Sequence, residues 1–356
     1  MLFQEKVEIV SIEVSIGSSF SPFVIAEVSG NHNGSINRAV ELIHAACESG
    51  ASAVKFQTYT AETMTIRAES PQFYVSKNHQ LWGGTHLFDL YHQAHTPWEW
   101  HEELFSVASK LGVIAFSTPF DSSAVDFLES LDVPMYKIAS LEINDHELIQ
   151  KVASTGKPVI ISTGASTIEE AIAATQMAKK NGSPKVIALK CTSSYPSRPK
   201  DANLRAMQTL AHHTKTEVGL SDHTLGIAVS IAAVALGATV IEKHITLDRN
   251  DGGVDSAFSL EPSEFGQLVI GCRAAYDAVG DAGIQTRESE LESFSHRRSL
   301  YIVEDVKSGD VVSRKNVRAI RPGGGLEPYE LKNCLGDVFK QDYKIGTPFQ
   351  KNMISK

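Results

Sequence analysis

Cysteine, basic charge and long apolar runs are all scarce in this sequence. Its four cysteines, Cys47, Cys191, Cys272 and Cys334, are far apart and form no CxxC pair. This excludes a disulfide framework and favours free thiols in a reducing cytoplasm. A net charge of −9 at pH 7 argues against a nucleic-acid surface. The most apolar stretch, residues 227–241, is shorter than the ~20 residues of a membrane span, and the charged N-terminal decapeptide is unlike a signal peptide. We expect a cytoplasmic protein with no nucleic-acid or membrane partner.

The C-terminal end of the chain differs from the rest in charge. From Ser295 to Lys356, basic residues outnumber acidic ones 12 to 7, although the whole chain is acidic. The preceding stretch AGIQTRESELESFSHRR is typical of a charged linker, and short strand-like runs with turn residues follow it. These features predict a large domain over residues 1–280, a linker over 281–294 and a small, mostly β domain over 295–356.

Strand-like and helix-like segments alternate through the large domain. The eight predicted strands are Phe23–Ser29, Ala53–Tyr59, Ile114–Phe120, Met135–Ser140, Pro158–Gly164, Val186–Ser193, Glu217–Thr224 and Val240–Leu247. Ser35 and Thr167 are predicted helix caps. Eight such units over this length predict a parallel (β/α)8 TIM barrel. An open doubly wound sheet is the alternative, but no GxGxxG follows the first strand. The long segment Thr60–Pro97 after the second strand is typical of a functional loop or a lid.

Polar residues are concentrated near the carboxyl ends of the predicted strands, where a barrel of this kind has its active site. Those predicted to point inward include three lysines and two glutamates: Lys55, Lys137, Lys190, Glu27 and Glu242. Barrel interiors are normally filled by Val, Ile and Leu, and a buried charge is costly unless it is paired or liganded. A structural Lys–Glu ion pair would account for any one lysine and one glutamate, but not for all five inward charged residues. We therefore expect a pocket for an anionic substrate; a Schiff-base lysine is the competing interpretation.

Two histidines, His223 and His244, end the last two predicted strands. Neighbouring strands lie ~4.8 Å apart, so the two imidazoles can share one divalent cation. Two protein ligands leave positions open for water or a substrate oxygen, which favours exchangeable Mn²⁺ or Mg²⁺ over a structural zinc. A pair of hydrogen-bonded histidines without metal is the alternative. His32, in the loop after the first strand, is a candidate acid/base or a solvated side chain.

Taken in order, several short stretches make the chain resemble the sialic acid synthase family. They are AEVSGNHNG, AVKFQTYT, STPFD, YKIAS, ISTGAS, KCTSSYPS, VGLSDHT, VIEKHITLD and the tail RRSLY…VRAIRPGGGL. The resemblance covers nearly the whole chain, and its tail is similar to the family's antifreeze-like (SAF) domain. It implies an enzyme that condenses phosphoenolpyruvate with an amino-sugar aldehyde.

Two positions depart from the branch of the family that takes N-acetylmannosamine. That branch usually has NHEG where this chain has Asn31-His32-Asn33-Gly34, and Asn where Ser193 stands. Together with the stretch LWGGTHLFDLYHQAHTPWEWH, these departures imply the acceptor 2,4-diacetamido-2,4,6-trideoxy-altrose. Synthases of legionaminic or N-acetylneuraminic acid, a Schiff-base aldolase and a non-catalytic sugar-binding protein are the alternatives.

The resemblance also implies roles for individual residues. His223 and His244 hold the metal, and Glu27 assists proton movement around the aldehyde and the water. The groups expected to hold phosphoenolpyruvate are Lys55, Thr118, Lys137, Ser140, Ser162, Ser193 and Ser221. Contacts to the acceptor or the intermediate are expected from Gln57, Tyr195 and Asp255. The SAF domain is expected to bring Arg321 to the site of a second subunit in a domain-swapped homodimer.

Overall fold

Residues 16–356 are described by the computed structural model; the N-terminal decapeptide lies outside them. The chain divides into two compact units, of which the first extends to Gly280 and the second comprises Asp281–Lys356. In the described part of the chain, no helix is long and apolar enough to cross a membrane.

Eight parallel strands form a closed barrel in the first unit, in chain order. They are β1 Phe23–Glu27, β2 Ala53–Thr58, β3 Ile114–Pro119, β4 Tyr136–Ile138, β5 Val159–Ser162, β6 Val186–Cys191, β7 Glu217–Asp222 and β8 Val240–His244. The pairing of β1 with β8, which places Glu27 opposite His244, closes the barrel. The predicted TIM barrel is confirmed and the open sheet is excluded. Each strand ends one to three residues earlier than predicted, so the polar residues that follow lie in loops at the barrel mouth.

Helices follow the strands and cover the outside of the barrel. They are α1 Ile36–Glu48, α2 Ala61–Met64, α3 Leu87–Ala94, α4 His101–Lys110, α5 Ser122–Ser130, α6 His146–Ser154, α7 Ile168–Lys180, α8 Ala206–Thr214, α9 Ala228–Ala235 and α10 Pro262–Val279. Ser35 accepts a hydrogen bond from the Arg38 N–H, and Thr167 forms a capping box with Glu170. Both predicted caps are therefore confirmed, and each satisfies a backbone donor that the first helical turn leaves free.

Alternation along each strand divides the side chains into two layers. Inside the barrel lie large apolar side chains such as Ile25, Phe116, Met135 and Ile160, and these fill its lower part. The opposite faces of the strands pack against the helices in a larger apolar cluster. Because the inner residues become polar only toward the carboxyl ends, the charged groups are confined to one end of a packed interior.

The segment Thr60–Pro97 contains two short helices, α2 and α3. His86 caps α3 by accepting a hydrogen bond from the Phe88 N–H at 3.1 Å. Trp82 donates a hydrogen bond to the carbonyl of Val254 at 3.0 Å. This bond joins the segment to the loop that follows β8, so the insertion reaches the barrel mouth.

The second unit is built of short antiparallel pairs around its own core. Helix α11 spans Leu291–Ser295, β9 Ser299–Ile302 pairs with β10 Val317–Ile320, helix α12 spans Leu331–Cys334, and β11 Val338–Phe339 pairs with β12 Ile354–Ser355. Leu300, Val317, Phe339 and Phe349 form the centre of this core. The mostly β character is as expected. The linker over 281–294 and the domain limits beside it stay predictions.

Candidate active site

Four charged side chains form a buried network at the carboxyl ends of the strands. Lys55 Nζ lies 2.6 Å from Glu27 Oε2 and 3.7 Å from Glu242 Oε1, and Lys137 Nζ lies 3.9 Å from Glu242 Oε2. The four side chains are 6% exposed or less. Opposite charges alternate through the network, so each charge that the barrel buries has a partner. Pairing of this kind offsets the desolvation of the four groups.

Protonation within this network is uneven. Burial lowers the pKa of Lys137, and its neighbour Glu242 only partly opposes this effect. Burial acts on Lys55 in the same way, but Glu242 and Glu27 outweigh it and raise the pKa of Lys55. Burial raises the pKa of Glu27, whereas Lys137 and Lys55 outweigh burial at Glu242 and lower its pKa. Glu27 is therefore the carboxyl that takes up a proton more readily.

Hydroxyl and amide groups complete the surroundings of these charges. Lys55 donates to Thr118 Oγ1 at 3.2 Å, and Lys137 donates to Ser162 Oγ at 2.7 Å. The Gln57 amide donates to Glu27 Oε1 at 2.9 Å, and Ser221 donates to Glu242 Oε1 at 3.2 Å. The residue types and their clustering suit a phosphate or carboxylate group.

Ser140 and Ser193 approach each other across Gly164, which follows β5. The Gly164 N–H donates to Ser140 Oγ at 2.9 Å, and among the described residues Ser193 Oγ has no hydrogen-bond partner although it is buried. A Cβ at position 164 would lie 2.2 Å from Ser193 Oγ and 2.8 Å from Ser140 Oγ. Glycine leaves this space open, and a side chain there would displace the two hydroxyls. The free Ser193 hydroxyl is available to a ligand.

His223 and His244 face each other with their ring centroids 5.4 Å apart. His223 Nδ1 lies 3.1 Å from the carbonyl of Thr192, so this nitrogen carries a proton, and in the neutral ring Nε2 is the acceptor. Burial alone would lower the pKa of His223, but the neighbouring Cys191 outweighs burial and the pKa is raised. Within residues 16–356 the buried His244 Nδ1 has no hydrogen-bond partner. Burial, with His223 and the nearby lysines, holds the pKa of His244 well below its usual value, so this ring is neutral.

The two rings fit a divalent cation. The orphaned His244 Nδ1 and the free Nε2 of His223 are nitrogen donors of the kind that Mn²⁺ accepts. In the described part of the chain, no group of three or more His, Cys, Asp or Glu side chains is arranged to hold a metal ion. Such an ion would therefore keep open positions for water or substrate oxygens. Asp255 Oδ2, 3.8 Å from His244 Nδ1, is the nearest carboxylate of this corner and accepts a hydrogen bond from Ser29.

Aromatic side chains border the histidines on the side of the long loop. The Tyr195 ring lies 4.4 Å from that of His223, and the Trp82 ring lies 5.8 Å from that of Tyr195. His79 stacks on Trp82 at 4.7 Å. The segment predicted to be a lid thus contributes an aromatic wall at the mouth of the site.

The prediction that Lys190 points into the barrel is wrong. The inward residues of β6 are Ile187, Leu189 and Cys191, so Lys190 points outward, where it donates to the Cys191 carbonyl at 2.6 Å and to Thr192 Oγ1 at 3.2 Å. It lines an open cavity of about 730 Å³ between α7 and α8. The inward polar position of β6 is a thiol.

His32 and Arg321 differ from the other candidates in their surroundings. His32 is fully buried and packs edge-on against Trp100, so it is neither solvated nor beside the charged groups; burial lowers its pKa to about 4. Arg321 follows β10 and belongs to the second unit. The other candidates, from Glu27 to Asp255, lie at the mouth of the barrel.

Glu142 is a site residue that the sequence reasoning missed. It follows β4, and burial raises its pKa to about 7, although Lys137 opposes this shift. Its Oε2 is buried and unpartnered in the part of the chain that the structure describes. A signal was present, because Glu142 comes five residues after Lys137 in a strand-end motif that already contributes Ser140. It lies beyond the strand, so alternation does not assign it to a face.

The sequence profile of the NeuB family matches residues 42–283. The chain belongs to the NeuB family. The SAF-domain profile matches residues 297–355, so the resemblance to sialic acid synthases and their antifreeze-like domain is confirmed. The chain shares the family's barrel and its C-terminal domain.

Named members of the NeuB family are similar over most of this chain. The pseudaminic acid synthase of Campylobacter jejuni (strain ATCC 700819 / NCTC 11168) is 41% identical, over 91% of this chain and 94% of the relative. The N,N'-diacetyllegionaminic acid synthase of Legionella pneumophila is 39% identical over 93% of this chain and 94% of its own length. The crystal structure of N-acetylneuraminic acid synthetase from Leptospira borgpetersenii, in complex with citrate, has a TM-score of 0.71 at 34% identity, covering 80% of this chain and 94% of that one.

Proposed function

We propose that this NeuB-family chain is a pseudaminic acid synthase. It condenses phosphoenolpyruvate with 2,4-diacetamido-2,4,6-trideoxy-L-altrose and water to give pseudaminic acid and phosphate. Similarity to the Campylobacter jejuni synthase over nearly the whole chain supports this choice. The observation that carries the chemistry is the buried network of Lys55, Lys137, Glu27 and Glu242 beside His223 and His244.

Phosphoenolpyruvate binds at the lysine side of the site. Lys137 lies beside Ser162, and the unpartnered hydroxyl of Ser193 lies near Ser140. Ligand oxygens give this group of donors the acceptors that it lacks, because ammonium and hydroxyl groups bind anionic oxygen by charge-assisted hydrogen bonds. The remaining expected contacts come from Lys55, Thr118 and Ser221.

The acceptor sugar binds at the histidine side, against Gln57, Tyr195 and Asp255. Carbon 3 of phosphoenolpyruvate forms a bond to the aldehyde carbon, water adds at carbon 2, and the tetrahedral carbon 2 then releases phosphate. The aldehyde oxygen gains a proton and the attacking water loses one. Glu27 is placed to move these protons because burial raises its pKa, so it takes up a proton more readily than Glu242 does. Positive charge that develops at carbon 2 is stabilised by the nearby carboxylates.

His223 and His244 would hold Mn²⁺ or Mg²⁺. A divalent cation bound there supplies Lewis-acid polarisation of a substrate oxygen. Asp255 and Tyr195, which surround the two rings, orient the sugar.

Phosphate release tests the proposal directly. Phosphoenolpyruvate and Mn²⁺ are given to the enzyme with one acceptor at a time: the trideoxy-altrose, its manno isomer or N-acetylmannosamine, each with and without EDTA. Product mass is measured with the released phosphate. We expect EDTA-sensitive turnover with the altrose sugar alone.

Other outcomes of the same panel are equally informative. Turnover with the manno isomer or with N-acetylmannosamine alone would assign the chain to a sibling branch and refute the acceptor proposed here. Turnover in the presence of EDTA would refute the proposed requirement for a divalent cation. No turnover by folded, Mn²⁺-loaded protein would refute the substrate class.

We further propose a cytoplasmic homodimer in which Arg321 of the second unit contacts the acceptor bound by the other subunit. The four cysteines are free thiols in the described residues, in keeping with a reducing compartment. Arg321→Ala is expected to raise the KM of the acceptor more than that of phosphoenolpyruvate. At an acceptor concentration well below the KM of Arg321→Ala, mixing Arg321→Ala chains with inactive His244→Ala chains should raise the activity above that of Arg321→Ala alone, because each mixed dimer keeps one intact site. No rise would contradict the exchange of domains between subunits.

A further inference from the structure

One buried ion pair on the outside of the barrel lies next to both histidines in the chain. Asp222 is the last residue of β7, and its register partner on β8 is Lys243. His223 and His244 follow them directly. Lys243 Nζ lies 2.9 Å from Asp222 Oδ2, and the two side chains are 0% and 2% exposed.

The pair also binds the residue on the far side of His223. The Thr224 N–H and hydroxyl donate to Asp222 Oδ1 at 2.9 and 2.8 Å, and Lys243 donates to the Thr224 carbonyl. Ser230 of α9 donates to Asp222 Oδ2 at 2.6 Å. Every polar group of Thr224 is thus held by the pair, and the backbone on both sides of His223 is anchored.

The location of the pair matters because the β7–β8 ladder ends there. The last paired residues of the two strands are Asp222 and Lys243, so His223 lies beyond the regular hydrogen bonds to β8. Its carbonyl accepts a bond from the Ser197 N–H at 2.9 Å, which ties it to the segment after β6. The side-chain bonds of the pair continue the link to β8 where the backbone ladder stops.

Stability alone is a poor explanation for this pair. Earlier outward positions of the same strands, such as Leu220 and Ile241, are apolar and pack in the main core. A buried ion pair usually stabilises a fold no better than well-packed apolar residues do. On the outward faces of β7 and β8, charged residues occur only where the two strands end, beside the two imidazoles.

We propose that Asp222 and Lys243 are positioning residues that hold His223 and His244 at the separation needed to share one divalent cation. This inference rests on the proposed function, because the metal belongs to it. Neither side chain faces the interior of the barrel. They act through the backbone, so their loss is expected to weaken metal binding rather than the binding of phosphoenolpyruvate.

The test is Mn²⁺ affinity of the full-length protein, measured by electron paramagnetic resonance of the free ion. Asp222→Asn with Lys243→Met removes both charges together, which avoids an unpaired buried charge. The matched control is Glu129→Gln with Lys157→Met, a half-buried pair 2.9 Å apart before the amino end of β5. Thermal unfolding shows whether each variant is folded.

We expect the Mn²⁺ Kd of the Asp222/Lys243 variant to rise by about 10- to 100-fold, as for other residues that orient metal ligands. The KM for phosphoenolpyruvate should stay within about twofold while kcat at fixed Mn²⁺ falls. The control pair should leave the Mn²⁺ Kd unchanged. An unchanged Kd in the folded double variant would overturn the positioning role.

The wild-type protein and His244→Ala separate this result from the proposed function. A wild-type chain that binds no Mn²⁺, or a His244→Ala chain that binds it as tightly as wild type, would overturn the metal site itself. If the double variant does not fold, Ser230→Ala removes one donor to Asp222 and keeps both charges. A several-fold rise in its Mn²⁺ Kd supports the proposal, and no change overturns it.

Discussion

Lys55 Nζ lies 2.6 Å from Glu27 Oε2, and the two residues are register partners on β2 and β1. The ammonium is therefore held as a charged partner of a carboxylate, and its pKa is raised. A Schiff-base nucleophile needs a neutral amine, so Lys55 is poorly suited to that role. Burial lowers the pKa of Lys137. Lys137 is therefore the lysine that distinguishes a site for anionic phosphoenolpyruvate from a Schiff-base aldolase.

Replacing Lys137 by Met is expected to raise the KM of phosphoenolpyruvate by about 10- to 100-fold, because one charge-assisted hydrogen bond contributes about 1.5–3 kcal/mol. Lys190→Met is the matched control: it removes an ammonium from the outward face of β6, which is separated from β4 by one strand, and should change the KM little. Steady-state kinetics measures both. Equal changes in KM for the two variants would contradict the assignment of Lys137 to phosphoenolpyruvate binding. If borohydride traps substrate on the wild-type enzyme but not on Lys137→Met, the Schiff-base aldolase is favoured instead.

His244→Ala is expected to abolish EDTA-sensitive turnover and to weaken Mn²⁺ binding at least tenfold, because the buried ring nitrogen is a free donor. Circular dichroism should show an unchanged fold. His212→Ala, which alters an exposed histidine of α8, is the control. Turnover by His244→Ala that still requires Mn²⁺ would show that the ligand assignment is wrong.

Trp82→Ala should raise the KM of the acceptor several-fold and leave that of phosphoenolpyruvate unchanged. The indole lies beside Tyr195 at the histidine side of the site, and an aromatic contact contributes about 0.5–1.5 kcal/mol beyond burial. Trp98→Ala is the comparison, because Trp98 stacks on Phe127 and is expected to affect stability instead. Separate measurements of the KM for the acceptor and the KM for phosphoenolpyruvate in both variants test this prediction. A selective rise for phosphoenolpyruvate would place the acceptor elsewhere.

Acid should destabilise the barrel through His101. This ring is buried beside Phe105 and Phe127 and bonds to Thr58. Burial lowers its pKa to about 4, and backbone hydrogen bonds to Pro97 and Trp98 only partly oppose this shift. The unfolded chain, with a histidine pKa near ~6.5, binds more protons between these values. Stability is therefore lost as the pH falls from about 6.5 toward 4, by about 2 kcal/mol at pH 5 from this group.

Urea unfolding at pH 7 and pH 5 checks the prediction for His101. In His101→Gln the difference between the two free energies of unfolding should shrink by about 2 kcal/mol. The exposed His212→Gln should leave that difference as in wild type. An undiminished pH dependence in His101→Gln would show that its protonation is not coupled to unfolding.

Much of the fold follows from patterns that are local in the chain. Eight apolar runs, each followed by a helix, specify a (β/α)8 barrel because parallel strands need helical crossovers. Polar residues at the run ends, such as Lys55 and His244, specify the site because all carboxyl ends meet at one mouth. Hydrogen bonding within a segment and alternation along a strand decide these features, so the sequence contains them.

Other features depend on how distant segments meet. Because side chains alternate along β6, Lys190 and Cys191 must face opposite sides of the strand. Only the closure of the barrel decides that the Cys191 thiol is the one that faces inward. The contact of Trp82 with Val254 and the approach of Ser193 to Gly164 join loops far apart in sequence. Local patterns in the chain are thus sufficient to specify the scaffold and most of the chemical groups of the site. Tertiary structure decided which groups share a space, because strand register and loop packing are set by the whole barrel rather than by any one segment.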